Sequence, residues 1–450
     1  MDVLNDFVKA ASNFVWGPFM LCLLVGTGVY LTLGTKFIAL RKLPLTMKLL
    51  FSKAQTQEGH ISSFQALMTA IASMVGIGNI AGVATAIYSG GPGALFWMWV
   101  SAFFGMTTSY GEALLAVKYR TTYPDGTIVG GPMWYISRGL NLPWLGFLFA
   151  FFGSIAAFGI GNMAQANAVA LVLKEVLLVP SYATGLLLAF MTGMVLIGGI
   201  SRIGKVTDKL VPFMIVLYVG ASVVIISKNI DRVPEVINLV LSHAFTPIAA
   251  CGGFAGAAVS QAIRFGVARG VFSNEAGLGS SPIVHAVAKT KSPVHQGLIA
   301  VNGPFLDTLV VCSMTGIVIL SETKVWTSGE TSSVLSTLAF ETLLPGIGSY
   351  VVALGLILFA YSTLIGWSYY GESCIEYIFG IRAKNYYRWI YCFLIVIGSG
   401  IKVEFVWNLC DTMNGAMAIP NLIGLLGLSG VIFRETQSYF SETKEKRPHG

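Results

Sequence analysis

Between Gly76 and Trp99 the chain reads GIGNIAGVATAIYSGGPGALFWMW, in which two glycines and an asparagine interrupt a run otherwise apolar enough to cross a bilayer. A backbone group left unpaired in hydrocarbon costs several kcal/mol. Irregular backbone at membrane depth therefore survives only where protein or a water-filled cavity surrounds it. Composition decides whether the run lies in a membrane. Charged residues make up 11% of the 450, hydrophobic residues 55%, and the mean hydropathy is +0.73. Soluble domains carry about 25% charged residues. So few charges cannot cover a soluble surface, and the expected fold class is an all-α polytopic membrane protein. The interruption should then line an internal site.

Apolar windows of about 20 residues pick out about eleven segments, at 14–33, 63–89, 94–117, 145–173, 183–200, 210–227, 246–268, 298–320, 349–372, 387–401 and 405–433. Alternate loops hold 22 of the 28 Lys and Arg residues, with Arg264 and Arg269 counted among them. That asymmetry is a positive-inside signal. It predicts an external N-terminus and a cytoplasmic C-terminus, and it assigns the net charge of +7 to topology rather than to nucleic acid. The start MDVLNDFVKAASNF lacks a basic region and a cleavage site, so no leader is expected. The tail 434–450 is polar and is expected to fray.

A second glycine cluster, CGGFAGAA from Cys251, falls in the seventh segment. Setting the first segment aside, the interrupted segments are the first and sixth of ten. Two halves of five, each opening on a broken helix, point to a secondary transporter with inverted repeats. The expected divisions are an extra helix and basic loop in 1–60, a first repeat in 61–230 broken at 76–79, a second in 244–433 broken near 252–256, and a cytoplasmic tail. Freed N–H groups of Gly76, Ile77, Gly78, Asn79 and Ile80 could hold a carboxylate, and freed carbonyls of Ala72 to Val75 a cation. Close helix packing by small residues is the blander account.

Polar residues at membrane depth extend the argument. Asp307 lies inside the eighth segment with no basic neighbour in sequence; it needs a cation, a proton or hydrogen bonds. Asn162 and Gln165 stand one turn apart and suit either a zwitterion or interhelical bonding. The Thr363 hydroxyl can ligate a hard cation or bond back to its own helix. Ser362 adjoins it, and Trp367, one turn on, could cap a small pocket. Asp411 and Asn414 share a face of the last segment. Arg264, Arg269 and Glu275 read as candidates for gate ion pairs on the cytoplasmic side. The six cysteines have no CxxC spacing and read as small core residues. No HExxH, GxSxG or His/Cys cluster supports an enzyme, and no repeated filter motif supports a channel.

GIGNIAGVATAIYSGGPGALFWMWV resembles the signature of the sodium:alanine symporters, the alanine or glycine:cation symporter family. RGVFSNEAGLGSSPIVHAVAKT, DTLVVCSMTG and STLIGWSYYGE are similar to its other blocks, and the likeness runs from about residue 60 to 415. The resemblance implies a LeuT-like five-plus-five inverted repeat with one extra N-terminal helix. It implies cation-driven uptake of alanine and glycine across a prokaryotic plasma membrane, with sodium as the coupling ion and no protein partner beyond the lipids. Protons or other small amino acids are the alternative. Substrate would meet Gly76, Ile77, Gly78, Asn79, Gln165, the carbonyls around Gly252, Gly253 and Phe254, Thr363 and Trp367. Sodium would meet Ala72, Val75, Asn79, Asp307, Ala360 and Thr363.

Overall fold

The computed structural model describes residues 10–51, 58–248, 256–290, 292–401 and 404–445, with backbone alone for 404–407 and 443–445. It is almost wholly helical; its one sheet is a short antiparallel hairpin pairing Thr121–Thr122 with Ile128–Val129. The principal helices are α1 (Ala10–Gly34), α2 (Ser63–Met74), α3 (Ala81–Gly90), α4 (Gly93–Lys118), α5 (Pro143–Leu177), α6 (Ser181–Leu196), α7 (Gly199–Lys228), α8 (Val259–Asn274), α9 (Pro293–Leu320), α10 (Gly348–Phe379), α11 (Ala383–Gly400), α12 (Glu404–Gly427) and α13 (Ser429–Glu445).

Among the described residues, α1, α5, α7, α9 and α10 are each long and apolar enough to cross a bilayer alone. α12 and α13 together form a sixth candidate, bent by 54°. The described helices of the other expected segments are broken, shorter or more polar. Such helices lie at depth by packing against neighbours rather than by their own hydropathy.

The helices sort into two packed groups. α4 lies against α8 and the start of α9, with α3 also against α8. α10 packs on α5, and α6 on α11. α2 touches α7 and α10 and also α9, and so sits between the groups. Two apolar cores follow this division only in part; Trp367 and Met74 belong to one, Ala72 and Val75 to the other.

The residues 252–254 singled out above lie outside the described residues. The structure instead ends α8 at Asn274, where Glu275 takes the left-handed conformation (φ 57°). Gly277 (φ 88°) and Gly279 (φ 85°) follow, and helix resumes at Pro282. A left-handed backbone favours glycine because it lacks Cβ. The second interruption described here is therefore 275–281, inside a stretch whose polarity had suggested a cytoplasmic loop. The tail is likewise helical through Glu445 rather than frayed. Tyr110 and Thr436 hydroxyls meet at 2.6 Å, and Lys118 pairs with Glu435 at 2.7 Å, so α4 supplies partners that the sequence of the tail lacks.

Candidate functional site

The first interruption is built by local chemistry. Ser62 and Gln65 form a reciprocal capping box that starts α2: Gln65 N–H donates to Ser62 Oγ, and Ser62 N–H to Gln65 Oε1, both at 3.1 Å. At Val75 the chain leaves the helix (ψ 90°), and Gly76 is extended. Asn79 folds back so that its Oδ1 accepts the Gly76 N–H at 3.0 Å. Gly76 is thus satisfied internally and is not a free donor, contrary to the sequence expectation. Among the described residues no acceptor meets the Ile77 or Gly78 N–H. These two amides are the unpaired donors of the break, groups of the kind that can hold an anion.

The carbonyls freed one turn earlier face α10. Ser362 Oγ lies 3.1 Å from Ala72 O and 3.3 Å from Val75 O. Thr363 Oγ1 lies 3.2 and 3.4 Å from the same two atoms. Both hydroxyls also reach Phe359 O, at 2.8 and 3.0 Å. Two hydroxyl protons face three carbonyls, so lone pairs exceed donors. An all-oxygen cluster of that kind suits a hard monovalent cation. The carbonyl in the cluster belongs to Phe359, not to Ala360, which is buried in the same helix. Helix geometry explains the difference, because hydroxyls at i+3 and i+4 fold back onto the carbonyl of residue i.

Gly76 must be glycine here for space rather than for φ: a Cβ would stand 2.6 Å from Thr363 Oγ1 and 3.5 Å from Gln165 Oε1. Gln165 follows a π-helical turn, Gly159–Met163, and donates from Nε2 to Ile160 O at 3.1 Å. Its Oε1 is buried without a partner and points toward Gly76. Such π-turns recur at functional sites. Asn162, expected on the same face, turns away and donates to Tyr391 O at 2.7 Å. It ties α5 to α11.

Trp367 is 3% exposed and packs directly over Gly161, where a Cβ would come within 2.3 Å of its own. Its ring also meets Tyr370 edge-on, with centroids 5.5 Å apart. Asp307, on a π-helical stretch of α9, accepts from Asn79 Nδ2 at 2.6 Å, Ser273 Oγ at 3.1 Å and Thr308 Oγ1 at 2.7 Å. It joins the first interruption to the end of α8. Beyond the break, Ser336 on the helix Ser332–Leu343 donates to Ile80 O at 2.9 Å, sealing another freed carbonyl.

Two adjoining cavities of about 200 Å³ lead to this region. They share Arg269, Phe272, Asn408 and Asp411, and the inner one reaches Ile77 and Gly78. The expected gate pairs of Arg264 and Arg269 with Glu275 are not formed. Arg264 donates to Asn13 Oδ1 at 3.0 Å, Arg269 lies over Phe272, and Glu275 is buried, accepting from Ser280 Oγ at 2.5 Å. Both arginines line a cavity with Ser12, Asn13 and Trp16 of α1, at the end where the chain begins rather than on the side that the loop count gave them. Asp411 Oδ2 accepts from Ser12 Oγ at 3.0 Å. Sequence reasoning passed over Glu112 and Asn421, which meet at the second interruption. The signal was available for Glu112, an ionisable residue inside an apolar run.

Known proteins were compared with this arrangement. Among solved structures the chain is similar to a manganese transporter of Eremococcus coleocola, with a TM-score of 0.52, 13% identity, and cover of 83% of this chain and 81% of that one. At that identity the likeness shows a shared fold. In sequence it is 50% identical over 448 residues to the sodium/alanine symporter AgcS of Methanococcus maripaludis, covering 98% of each chain. It is 47% identical to an uncharacterized transporter of Haemophilus influenzae, covering 98% of this chain and 97% of that one. It is 36% identical to the probable sodium/glutamine symporter GlnT of Bacillus subtilis, over 98% of this chain and 92% of that one. The model of the sodium:alanine symporter family matches residues 1–449. The chain, a membrane transporter, belongs to the sodium:alanine symporter family.

Proposed function

We propose that the protein couples sodium influx to uptake of a small neutral amino acid, alanine or glycine, by alternating access. The observation that carries this reading is the meeting of Ser362 and Thr363 with Ala72 O, Val75 O and Phe359 O beside the first interruption. That cluster would hold sodium. The substrate carboxylate would rest on the Ile77 and Gly78 amides, next to Asn79. Gln165 Oε1, buried and unpartnered, would accept from the ammonium. Trp367 would limit the side chain. Asn79 and Asp307 offer a second set of oxygens for a cation. The names of the relatives in Methanococcus maripaludis and Bacillus subtilis favour sodium and an amino acid, and differ on which amino acid.

The same reading makes the fold a five-plus-five inverted repeat after α1. Its halves open on the helices interrupted at 76–79 and 275–281, and the group around α4, α8 and α9 rocks against that around α5, α6, α10 and α11. The concentration of Lys and Arg in alternate loops of the sequence, less Arg264 and Arg269, supports a cytoplasmic C-terminus and an external N-terminus in the plasma membrane. The test is radiolabelled alanine uptake into proteoliposomes, with sodium, potassium and proton gradients imposed separately. Accumulation driven by the sodium gradient alone supports the reading; accumulation driven by protons with sodium absent contradicts the coupling ion.

A further inference from the structure

The two interruptions differ in who occupies their freed donors. At the first, the Ile77 and Gly78 N–H groups have no acceptor among the described residues. At the second, the Gly277 and Gly279 N–H groups both donate to one oxygen, Glu112 Oε1, each at 3.1 Å. Asn421 Nδ2 donates to the same oxygen at 2.6 Å and to Gly277 O at 2.9 Å. Tyr135 OH in turn donates to Asn421 Oδ1. Glu112 comes from α4 and Asn421 from α12, so two helices that flank the break hold both its donors and one of its carbonyls. Glu112 and Asn421 are 0% exposed, and Glu112 Oε2 is buried with no partner. Neither glycine has room for a side chain: a Cβ would lie 2.7 Å from Leu24 at Gly277 and 2.7 Å from Phe149 at Gly279.

Broken-helix amides are a ready site for a carboxyl group. We propose that Glu112 is an internal occupant of the second interruption: a positioning residue whose carboxyl oxygen fills the Gly277 and Gly279 amides and so leaves the Ile77 and Gly78 amides as the place for the substrate carboxylate. This rests on the amino-acid reading above. Two further features tie the second interruption to the substrate pocket. Ser273 bonds Asp307, which bonds Asn79. Gly78 packs against Phe272 and Ser273. A break held in one geometry by Glu112 therefore fixes the wall of the pocket. The role needs an acceptor, not a charge, and the glutamine isostere supplies one.

The experiment measures sodium and alanine midpoints on purified, thermally characterised wild type, Glu112→Gln and Glu112→Ala. Wild-type alanine binding by itself tests the functional reading, and Glu112 is judged only by differences between variants. Glu112→Ala leaves buried amides unpaired and is expected to raise the half-saturating alanine concentration about ten-fold or more. Glu112→Gln is expected to restore it to within about three-fold of wild type. The sodium midpoint at saturating alanine should not move, because its cluster belongs to α2 and α10. Should Glu112→Ala fail to fold, Asn421→Ala removes one donor and is expected to show the same pattern at smaller amplitude. Wild-type alanine affinity in Glu112→Ala overturns the proposal. So do sodium and alanine midpoints that move together, or a glutamine variant as impaired as the alanine one.

Discussion

At the scale of single residues, the site depends on how closely backbone and side chain approach at Gly76. The Cβ of an alanine there would press on Thr363 Oγ1 from 2.6 Å, closer than any ordinary contact. Gly76→Ala should therefore abolish sodium-dependent alanine uptake while leaving the far ends of α2 and α10 folded. Uptake and thermal stability, measured together, check this; a variant with wild-type uptake would show that the cluster tolerates the displacement. Trp367 makes a different prediction. Its ring sits over Gly161 and against Tyr370, so it is a fixed wall. Trp367→Ala should admit larger apolar amino acids or lose alanine binding, read by competition of leucine against labelled alanine. Full competition by leucine in the wild type would remove the size filter. These residues were legible because each is a polar, glycine or aromatic exception inside an apolar run. Ser362 and Phe359 were less so. A serine adjoining a threonine carries no signal of its own, and a carbonyl ligand carries no residue type at all.

Among elements, the interrupted helices and the segments that tie them matter most. The first break was legible because its asparagine and glycines interrupt an otherwise apolar stretch. The second was sought at 252–256, of which 252–255 lie outside the described residues. The described break at 275–281 hides in NEAGLGSS, whose Gly277 and Gly279 amides and Gly277 carbonyl are paired by residues far away in sequence, Glu112 and Asn421. The polar α13 was missed for the same reason, since its partners lie on α4.

A second tie joins the segment before α2 to the one after the second break. His60 N–H donates to Val287 O at 2.8 Å, and Lys289 N–H to Ile61 O at 2.8 Å. His60 Nε2 accepts the Ile128 N–H from the hairpin at 2.8 Å, and Arg120 donates to Ala288 O at 3.0 Å. Burial, then the nearby Lys384, with Lys289 adding to it, hold the His60 imidazole below its ordinary pKa, against a smaller opposing effect of Asp125. Protonation would also remove the acceptor that Ile128 uses. The sign follows from the lowered value: the folded state binds the proton less readily than the unfolded one. Stability from this contact is complete above pH ~6.5 and is lost as pH falls below it. We expect wild-type thermal stability to decline from pH 7 to 5 by about 1 kcal/mol more than that of His60→Gln, which keeps an acceptor but does not titrate. Parallel pH profiles for the two proteins would place the tie elsewhere.

For the whole molecule, composition and hydropathy were enough to read a polytopic helical transporter, and the family match confirms the transporter class. The division into two packed groups was not readable, because it resides in contacts such as α4 with α8 and α6 with α11 rather than in any one segment. The central claim is that sodium bound between α2 and α10 joins those groups and prepares the first break for an amino acid. Thr363→Val keeps the side chain's shape and removes one oxygen from the cluster. A lost ligand worth about 1.5–3 kcal/mol, taking hydrogen bonds to charged groups as the guide, raises the half-saturating sodium concentration about ten-fold or more. The most direct measurement is a sodium titration of alanine binding to purified wild type and Thr363→Val. The account predicts a raised sodium midpoint with alanine affinity nearly unchanged at saturating sodium; an unchanged sodium midpoint would contradict it.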